Sequence, residues 1–507
     1  MACKSPTATA SFEADAAPPP AVRKWLVAGA VMIGAVMTVL DTSIVNVSLP
    51  YMQQSFGADV RQITWVVTSY LVAVSVTIPM TGWFAVRFGR KHYFLASVLV
   101  FAITSALCGL ARGVGEMVVF RILQGVAGAA MIPLSQAILI ETFPPNEHTL
   151  AMTTFGMGLM AAPVLGPTLG GWITLSWSWR WVFFINVPTG AVAMAMVSAF
   201  VHDPPYLKSQ RGSGRIDYLG IVLTALAVGL FQIVFAIGGR AGWFAAPWVR
   251  WASVLSALAA VALVFHELRF ADPIIDFRLF KVLGFTLAVA IISLQALALF
   301  SINLLNPLFL ETLLGYDAWK AGLAVAPRGI GVVIALLAVG QLSRRGVDMR
   351  PIIAGGFVLG AYEVWRMAHW GLAIGMRAVL WPIFFFGLGL GAVFPTVTAV
   401  GLGQIRRERM GFASSLFSVM VNIGAATGIA ASTNLLATRH RHHLARLMAT
   451  SAAAAHNPVA AIATAEAWLH AYNDVYRVLA IVVLFLAPWC MLLKREGAAI
   501  GAGTITD

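Results

Sequence analysis

Long apolar runs alternate with short polar breaks along this chain. A helix needs about 20 apolar residues to cross roughly 30 Å of hydrocarbon, and fourteen runs approach or exceed that length. They lie near 25–49, 63–85, 93–111, 115–141, 149–174, 181–201, 217–238, 247–266, 283–311, 319–341, 351–370, 378–402, 410–436 and 475–493. The breaks are uneven. Residues 202–216 (HDPPYLKSQRGSGRI) follow six runs, and residues 267–282 (ELRFADPIIDFRLFKV) follow eight. The pattern predicts six helices, an inserted pair and six more. The expected organisation is a disordered tail over 1–24, a first half over 25–201, and a linker with the inserted pair over 202–268. A second half over 269–495 follows, with a long outer loop at 437–474, and then a tail over 496–507.

Composition turns these runs into membrane spans. Hydrophobic residues make up 59% of the 507 and charged residues 11%, with a mean hydropathy of +0.83. A soluble protein carries about 25% charged residues to wet its surface, so most of this surface must face lipid. The fold class expected is an all-α integral membrane protein with 14 transmembrane helices. A net charge of +13 suggests a nucleic-acid partner only if it forms a basic face. Here the basic residues sit in small clusters between apolar runs. Twenty of the 34 lysines and arginines fall in alternate breaks beginning with the N-terminal one, which predicts that both termini are cytoplasmic. The first twenty residues lack the apolar core of a signal peptide and read as a cytosolic tail. Cys3 lies in that tail and Cys108 and Cys490 in apolar runs, so no disulfide framework is implied.

Charges inside spans are costly, at about 2.5–3.5 kcal/mol or more near the bilayer centre, and Asp41 sits mid-span in the first run. Burial favours the neutral carboxyl and a nearby arginine favours the charged one, so a group held between the two can load and release a proton. Asp41 could equally be a carboxylate permanently paired with Arg121, or one capping local backbone. Arg121, early in the fourth run, reads as its partner or as an arginine snorkelling to the headgroups. Gln124 lies three residues on, on a neighbouring face. The fifth run is crowded with Gly156, Gly158, Pro163, Gly166, Pro167, Gly170 and Gly171. Gly166 and Gly170 are four apart and leave a bare face that a second helix can approach closely. Glu363 and Arg366 are three apart and can pair. Glu311 and Arg328 flank the outer turn between the ninth and tenth runs, where interfacial placement is ordinary.

Trp65, Tyr70, Phe155, Met157, Phe300, Phe394, Phe417 and Met420 supply rings and thioethers for an apolar pocket tolerant of varied ligands, or for plain packing. Asn46, Gln124, Gln136, Gln295, Asn303 and Asn422 would orient a ligand there. The run Arg439–His443 carries three histidines between arginines, a poor cation site, and no metal is expected. No GxxxxGK[ST] phosphate loop occurs, and no Ser/His/Asp or zinc spacing. A carrier driven by a gradient, needing no cofactor and catalysing no reaction, is the class that remains.

Several segments together resemble one family. DTSIVNVSLP at 41–50 resembles the first-helix signature of fourteen-span drug:proton antiporters of the major facilitator superfamily, EmrB/QacA type. GWFAVRFGRKHYFL at 82–95 is similar to the loop signature between the second and third helices. RILQG at 121–125 resembles the fourth-helix arginine motif, and APVLGPTLGG at 162–171 the fifth-helix antiporter motif. WRWVFFINVPTG at 179–190 and VDMR at 347–350 are also similar to family segments. The resemblance spans roughly residues 25–495. It implies proton coupling through Asp41 and Arg121. Residue type and position within the runs, rather than the resemblance, make Asn46, Gln124, Phe155, Gln295, Asn303 and Asn422 the expected substrate-cavity residues. The resemblance implies gating by Gly82, Arg87, Gly89, Arg90 and Lys91, and by Pro163, Gly166, Pro167, Gly170 and Gly171, a face that in the family meets a helix of the second half. One departure stands out: the loop signature has an acid where this chain has Val86, so the inner latch that uses that acid is not carried over.

The function expected is proton-coupled export of hydrophobic drugs or other toxic small molecules across the inner membrane. A dedicated exporter of one metabolite, siderophore or antibiotic, and a non-transporting sensor or scaffold, are the alternatives. Partners implied are the lipid bilayer, protons and hydrophobic substrates, with a periplasmic adaptor and outer-membrane channel joining on the side of the 437–474 loop.

Overall fold

A computed structural model of the chain describes residues 21–203, 217–270, 272–451 and 457–493. Residues 1–20 of the expected tail over 1–24, most of the 202–216 break, and residues 494–507, which include the expected tail over 496–507, lie outside the described residues; residues 21–24 belong to the first helix, not to a tail. Within them the chain is helical, and each of the fourteen apolar runs folds as a helix or as a helix in two pieces.

The first half holds α1 (Ala21–Phe56), α2 (Val60–Thr77, continued by Thr81–Phe88), α3 (Arg90–Leu110), α4 (Val114–Gly128 and Met131–Thr142), α5 (His148–Ser176) and α6 (Trp181–Phe184 and Asn186–Phe200). The inserted pair is α7 (Tyr218–Ile237) and α8 (Pro247–Arg269). The second half holds α9 (Leu283–Thr312), α10 (Ala318–Val325 and Pro327–Arg344), α11 (Met349–Met367), α12 (Met376–Gly391 and Val393–Leu402), α13 (Met410–Ser451) and α14 (Asn457–Met491). Twelve of the helices among the described residues are long and apolar enough to cross a membrane; α5 and α11 are not in that set, and α11 carries Arg350, Glu363 and Arg366. Leu175 and Trp251 are 73% and 74% exposed, an arrangement that only a lipid solvent tolerates on this scale.

Local chemistry sets the helix ends. Asp59 caps α2 by accepting from the Gln62 backbone N–H at 2.7 Å, and the Asp59 N–H donates in return to Gln62 Oε1. This reciprocal box satisfies donors that a helix start leaves open. Pro79 has no N–H to give, and α2 passes through a 3-10 turn there. At the other end of α3, Arg180 donates to the carbonyls of Gly109 and Ala111 at 2.7 and 2.8 Å while its guanidinium lies over Trp179.

The inserted helices are peripheral, with 28% and 22% of their apolar stretches buried against 72% in α12. α7 packs on α2 and also touches α13, so the pair lies across the seam between the halves. Residues 437–474 differ from the expected loop. α13 and α14 continue through most of that stretch as a helical extension in which His440 stacks on Trp468 at 3.8 Å and His443 bonds Asp474 at 2.9 Å. The segment was expected as a loop from its place between two apolar runs, and its alanines are strong helix formers.

Candidate functional site

Asp41 lies in the middle of α1 and is 1% exposed, while Arg121 of α4 is fully buried. Arg121 Nη1 donates to Asp41 Oδ2 at 2.6 Å and to Gln124 Oε1 at 2.8 Å, and its Nε donates to the Val66 carbonyl of α2 at 3.1 Å. The guanidinium carbon sits 4.1 Å from the Tyr70 ring centroid. Asp41 Oδ1 accepts from Gln124 Nε2 at 3.0 Å and from Asn186 Nδ2 at 2.8 Å. Asn186 also donates to Ser105 Oγ of α3, and that hydroxyl donates to the Phe183 carbonyl of α6. The carboxylate therefore accepts three side-chain donors, and its charge is shared among α1, α3, α4 and α6. Charge-assisted bonds of this kind are about twice as strong as neutral ones; Arg121 Nη2 is buried without a hydrogen-bond partner.

The network joins the two residues that the sequence singles out. Full burial sets aside the snorkelling arginine. Gln124, expected in the substrate cavity, is instead enclosed here because its amide bridges the ion pair. Asn186 was not singled out by sequence reasoning, although an amide in the apolar stretch WRWVFFINVPTG carried the signal.

A second cluster closes one end of the bundle. A Cβ on Gly82 would meet the Phe412 N and Cα atoms of α13 at 2.7 and 2.6 Å, so α2 and α13 touch backbone to backbone there. Gly89 joins α2 to α3 with φ at 83°, a left-handed conformation that glycine adopts without strain. Arg90 pairs with Glu141 of α4 and donates through Nη2 to the Arg407 carbonyl at 3.2 Å, across to the second half. Lys91 takes a helix-side role: its backbone N–H donates to Asp203 Oδ1 at 2.8 Å and Nζ to the Ser198 carbonyl at 2.6 Å. Arg87 lies over Trp83. Val86, where the family signature has an acid, is half-buried, and one link from this loop to the second half runs from Arg90 to a main-chain oxygen.

The bare face of α5 departs from expectation. A Cβ on Gly166 would collide with the side chain of Ser43, and one on Gly170 would meet Ile44 at 3.0–3.2 Å. Both partners are on α1, two and three residues past Asp41, rather than on a helix of the second half. Ser48 and Thr174 continue the seam with a 2.8 Å hydroxyl bond. Gly171 faces open space, and the side chains of Pro163 and Pro167 lie outside the described residues. At the closed end α5 does meet the second half, where Gly156 faces Leu336, and Gly340 faces Leu150 and Thr153.

The remaining cavity candidates scatter. Asn46 is exposed. Phe155 is fully buried in the core and cannot line a cavity wall in this state. Gln295 is 2% exposed and donates to the Leu390 carbonyl at 3.2 Å. Asn422 bonds its own helix at Ser418. Asn303 of α9 accepts from Arg328 of α10, so Arg328 turns toward α9 rather than taking the interfacial placement expected at the outer turn. Glu363 and Arg366 form the expected pair at 3.0 Å. A cavity of about 1190 Å³ lies between α7, α8 and α13 and is lined by Phe231, Phe235, Trp243, Leu416 and Met420 among others.

Comparison with known proteins agrees with this architecture. The family model described as Major Facilitator Superfamily matches residues 31–429. Multidrug export protein EmrB of Escherichia coli (strain K12) is 33% identical over 419 residues, covering 82% of this chain and 81% of that protein. Fatty acid resistance protein FarB of Neisseria gonorrhoeae is 34% identical over 412 residues, covering 81% and 80%. The proton:xylose symporter XylE superposes with a TM-score of 0.63 at 15% identity over 94% of this chain and 96% of the symporter, a likeness of fold. A multi-pass helical protein with a buried acid–arginine pair in its first half and these relatives is a transporter, not an enzyme: the chain belongs to the Major Facilitator Superfamily.

Proposed function

We propose that this chain exports hydrophobic drugs or other toxic small molecules across the inner membrane in exchange for protons. The observation that carries the reading is the carboxylate of Asp41, buried mid-helix with Arg121, Gln124 and Asn186 as its donors. Neutralising Asp41 breaks the charge pairing with Arg121, which the Val66 carbonyl and the Tyr70 ring keep in place, and a proton is the smallest ligand that can do so. The relatives named for multidrug export support the substrate class.

In this reading all fourteen helices span, both termini are cytoplasmic, and the halves 25–201 and 269–495 rock about a midplane site. The basic residues that favour this topology, Lys24, Arg90, Lys91, Arg407 and Arg409, gather at the closed end with Glu147, Glu141, Asp203 and Asp276. The closed end is then the inner one and the conformation faces outward. Protonation of Asp41 from outside accompanies substrate release, the closed end opens, and the proton leaves inward as the next substrate binds. One proton moving down 100 mV supplies about 2.3 kcal/mol, enough for roughly a forty-fold gradient of a neutral substrate. The helical extension at 437–474 is the surface on which a periplasmic adaptor would sit.

The test is proteoliposomes holding the purified protein and a pH dye under an imposed pH gradient. Substrate-evoked proton efflux from the lumen, absent in empty vesicles, is the expected result. A panel of hydrophobic compounds that moves no protons would sink the reading.

A further inference from the structure

Arg328 stands apart from the other charges inside the helices. Asp41 neutralises Arg121 and Glu363 neutralises Arg366. Arg328 has no carboxylate partner among the described residues; its hydrogen bond there is to the neutral oxygen of Asn303. The residue as a whole is half-buried. Asn303 lies nine residues before the end of α9 at Thr312, which is about 13 Å inward at 1.5 Å per residue. With α9 spanning the bilayer, as the exporter reading has it, a point that far from the helix end lies inside the roughly 30 Å of hydrocarbon.

The stem is held rigidly. The main chain of Arg328 presses against Gly387 of α12, where a Cβ would also meet Arg328 Cγ at 2.9 Å. Asn303 then fixes one edge of the fork. A guanidinium has five N–H donors, and one neutral acceptor uses few of them. An uncompensated charge at this depth costs free energy unless an anion completes it, and a planar carboxylate matches the fork with two parallel bonds.

We propose that Arg328 and Asn303 form the recognition point for the anionic group of an exported lipophilic carboxylate, the apolar body of the substrate lying against the surrounding helices. The inference rests on the exporter reading for its meaning, but its test is binding rather than transport. Arg328 is the specificity-determining group and Asn303 its positioning residue.

Full-length protein in nanodiscs is titrated at neutral pH with naphthalene-2-acetate and with its uncharged amide. The wild type is expected to bind the carboxylate at least tenfold more tightly than the amide. Arg328→Gln should weaken the carboxylate tenfold or more and change the amide less than twofold, with Arg328→Lys in between because it keeps charge and loses the fork. Equal affinity of the wild type for acid and amide overturns the proposal, and that arm needs no variant to fold. Equal loss of both ligands in Arg328→Gln overturns it too, marking Arg328 as structural. Discrimination in nanodiscs with no proton movement in the proteoliposomes would instead retire the exporter reading and leave this site standing.

Discussion

Arg121 grips Asp41 at 2.6 Å through one nitrogen while its flat face rests 4.1 Å from the centre of the Tyr70 ring. The ring and the Val66 carbonyl occupy the sides of the guanidinium that the carboxylate does not, so α2 holds the arginine in place whether or not Asp41 is charged. The pair can therefore separate electrostatically without the arginine being lost to the headgroups.

Asp41→Asn should abolish transport driven by a pH gradient while substrate exchange between equal compartments persists. It also leaves Arg121 buried without a counter-charge, which costs about 3–5 kcal/mol. Thermal unfolding of the purified variant should fall accordingly and recover in part when Arg121→Gln is added. Normal gradient-driven uptake by Asp41→Asn would refute the assigned role.

Arg121→Lys keeps the charge yet cannot reach Asp41, Gln124 and the Val66 carbonyl together, because those bonds use the fork and the Nε. Transport is expected to drop at least tenfold. Rates within twofold of wild type would show that charge alone suffices.

Asn186→Leu removes the amide that ties Asp41 to Ser105. A hydrogen bond to a charged group contributes about 1.5–3 kcal/mol, so both stability and proton-coupled turnover should decline, measured by thermal unfolding and by vesicle flux. A variant as stable and active as wild type would remove α6 from the network.

Gly82→Val forces a side chain into the main chain of Phe412. Backbone cannot give way as a flexible side chain can, so the closed end should open. Spin labels on α3 and α13 near that end should report a population at longer distance, whereas an unchanged distance distribution would argue against Gly82 as a contact of the gate.

Gly166→Ala places a methyl against Ser43, two residues from Asp41. Loss of thermal stability and weakened coupling should appear together, because α1 cannot move away from α5 without carrying the carboxylate. Loss of stability with intact proton-to-substrate ratio would confine the glycine to packing.

Much of this was legible without coordinates. The apolar runs predicted each helix, since burial in lipid needs about twenty apolar residues whatever they pack against. Asp41 and Arg121 stood out because a charge in such a run is too costly to be idle. Asn186 did not stand out, since an uncharged amide costs less and its use depends on what lies opposite. Phe155 shows the converse limit: a ring suited to a pocket wall is equally suited to the core, and periodicity cannot tell which side of a helix faces a void.

The sequence by itself determined that the protein is helical and membrane-embedded, how many apolar segments it has and which charges lie within them. These follow from one-dimensional quantities: run length, hydropathy and the order of basic breaks. Only the tertiary structure decided that the glycines of α5 pack on α1, that Arg90 bridges the halves through a main-chain oxygen, and that Arg328 turns toward Asn303. Each depends on which helices become neighbours, a property of three-dimensional packing that no single segment encodes.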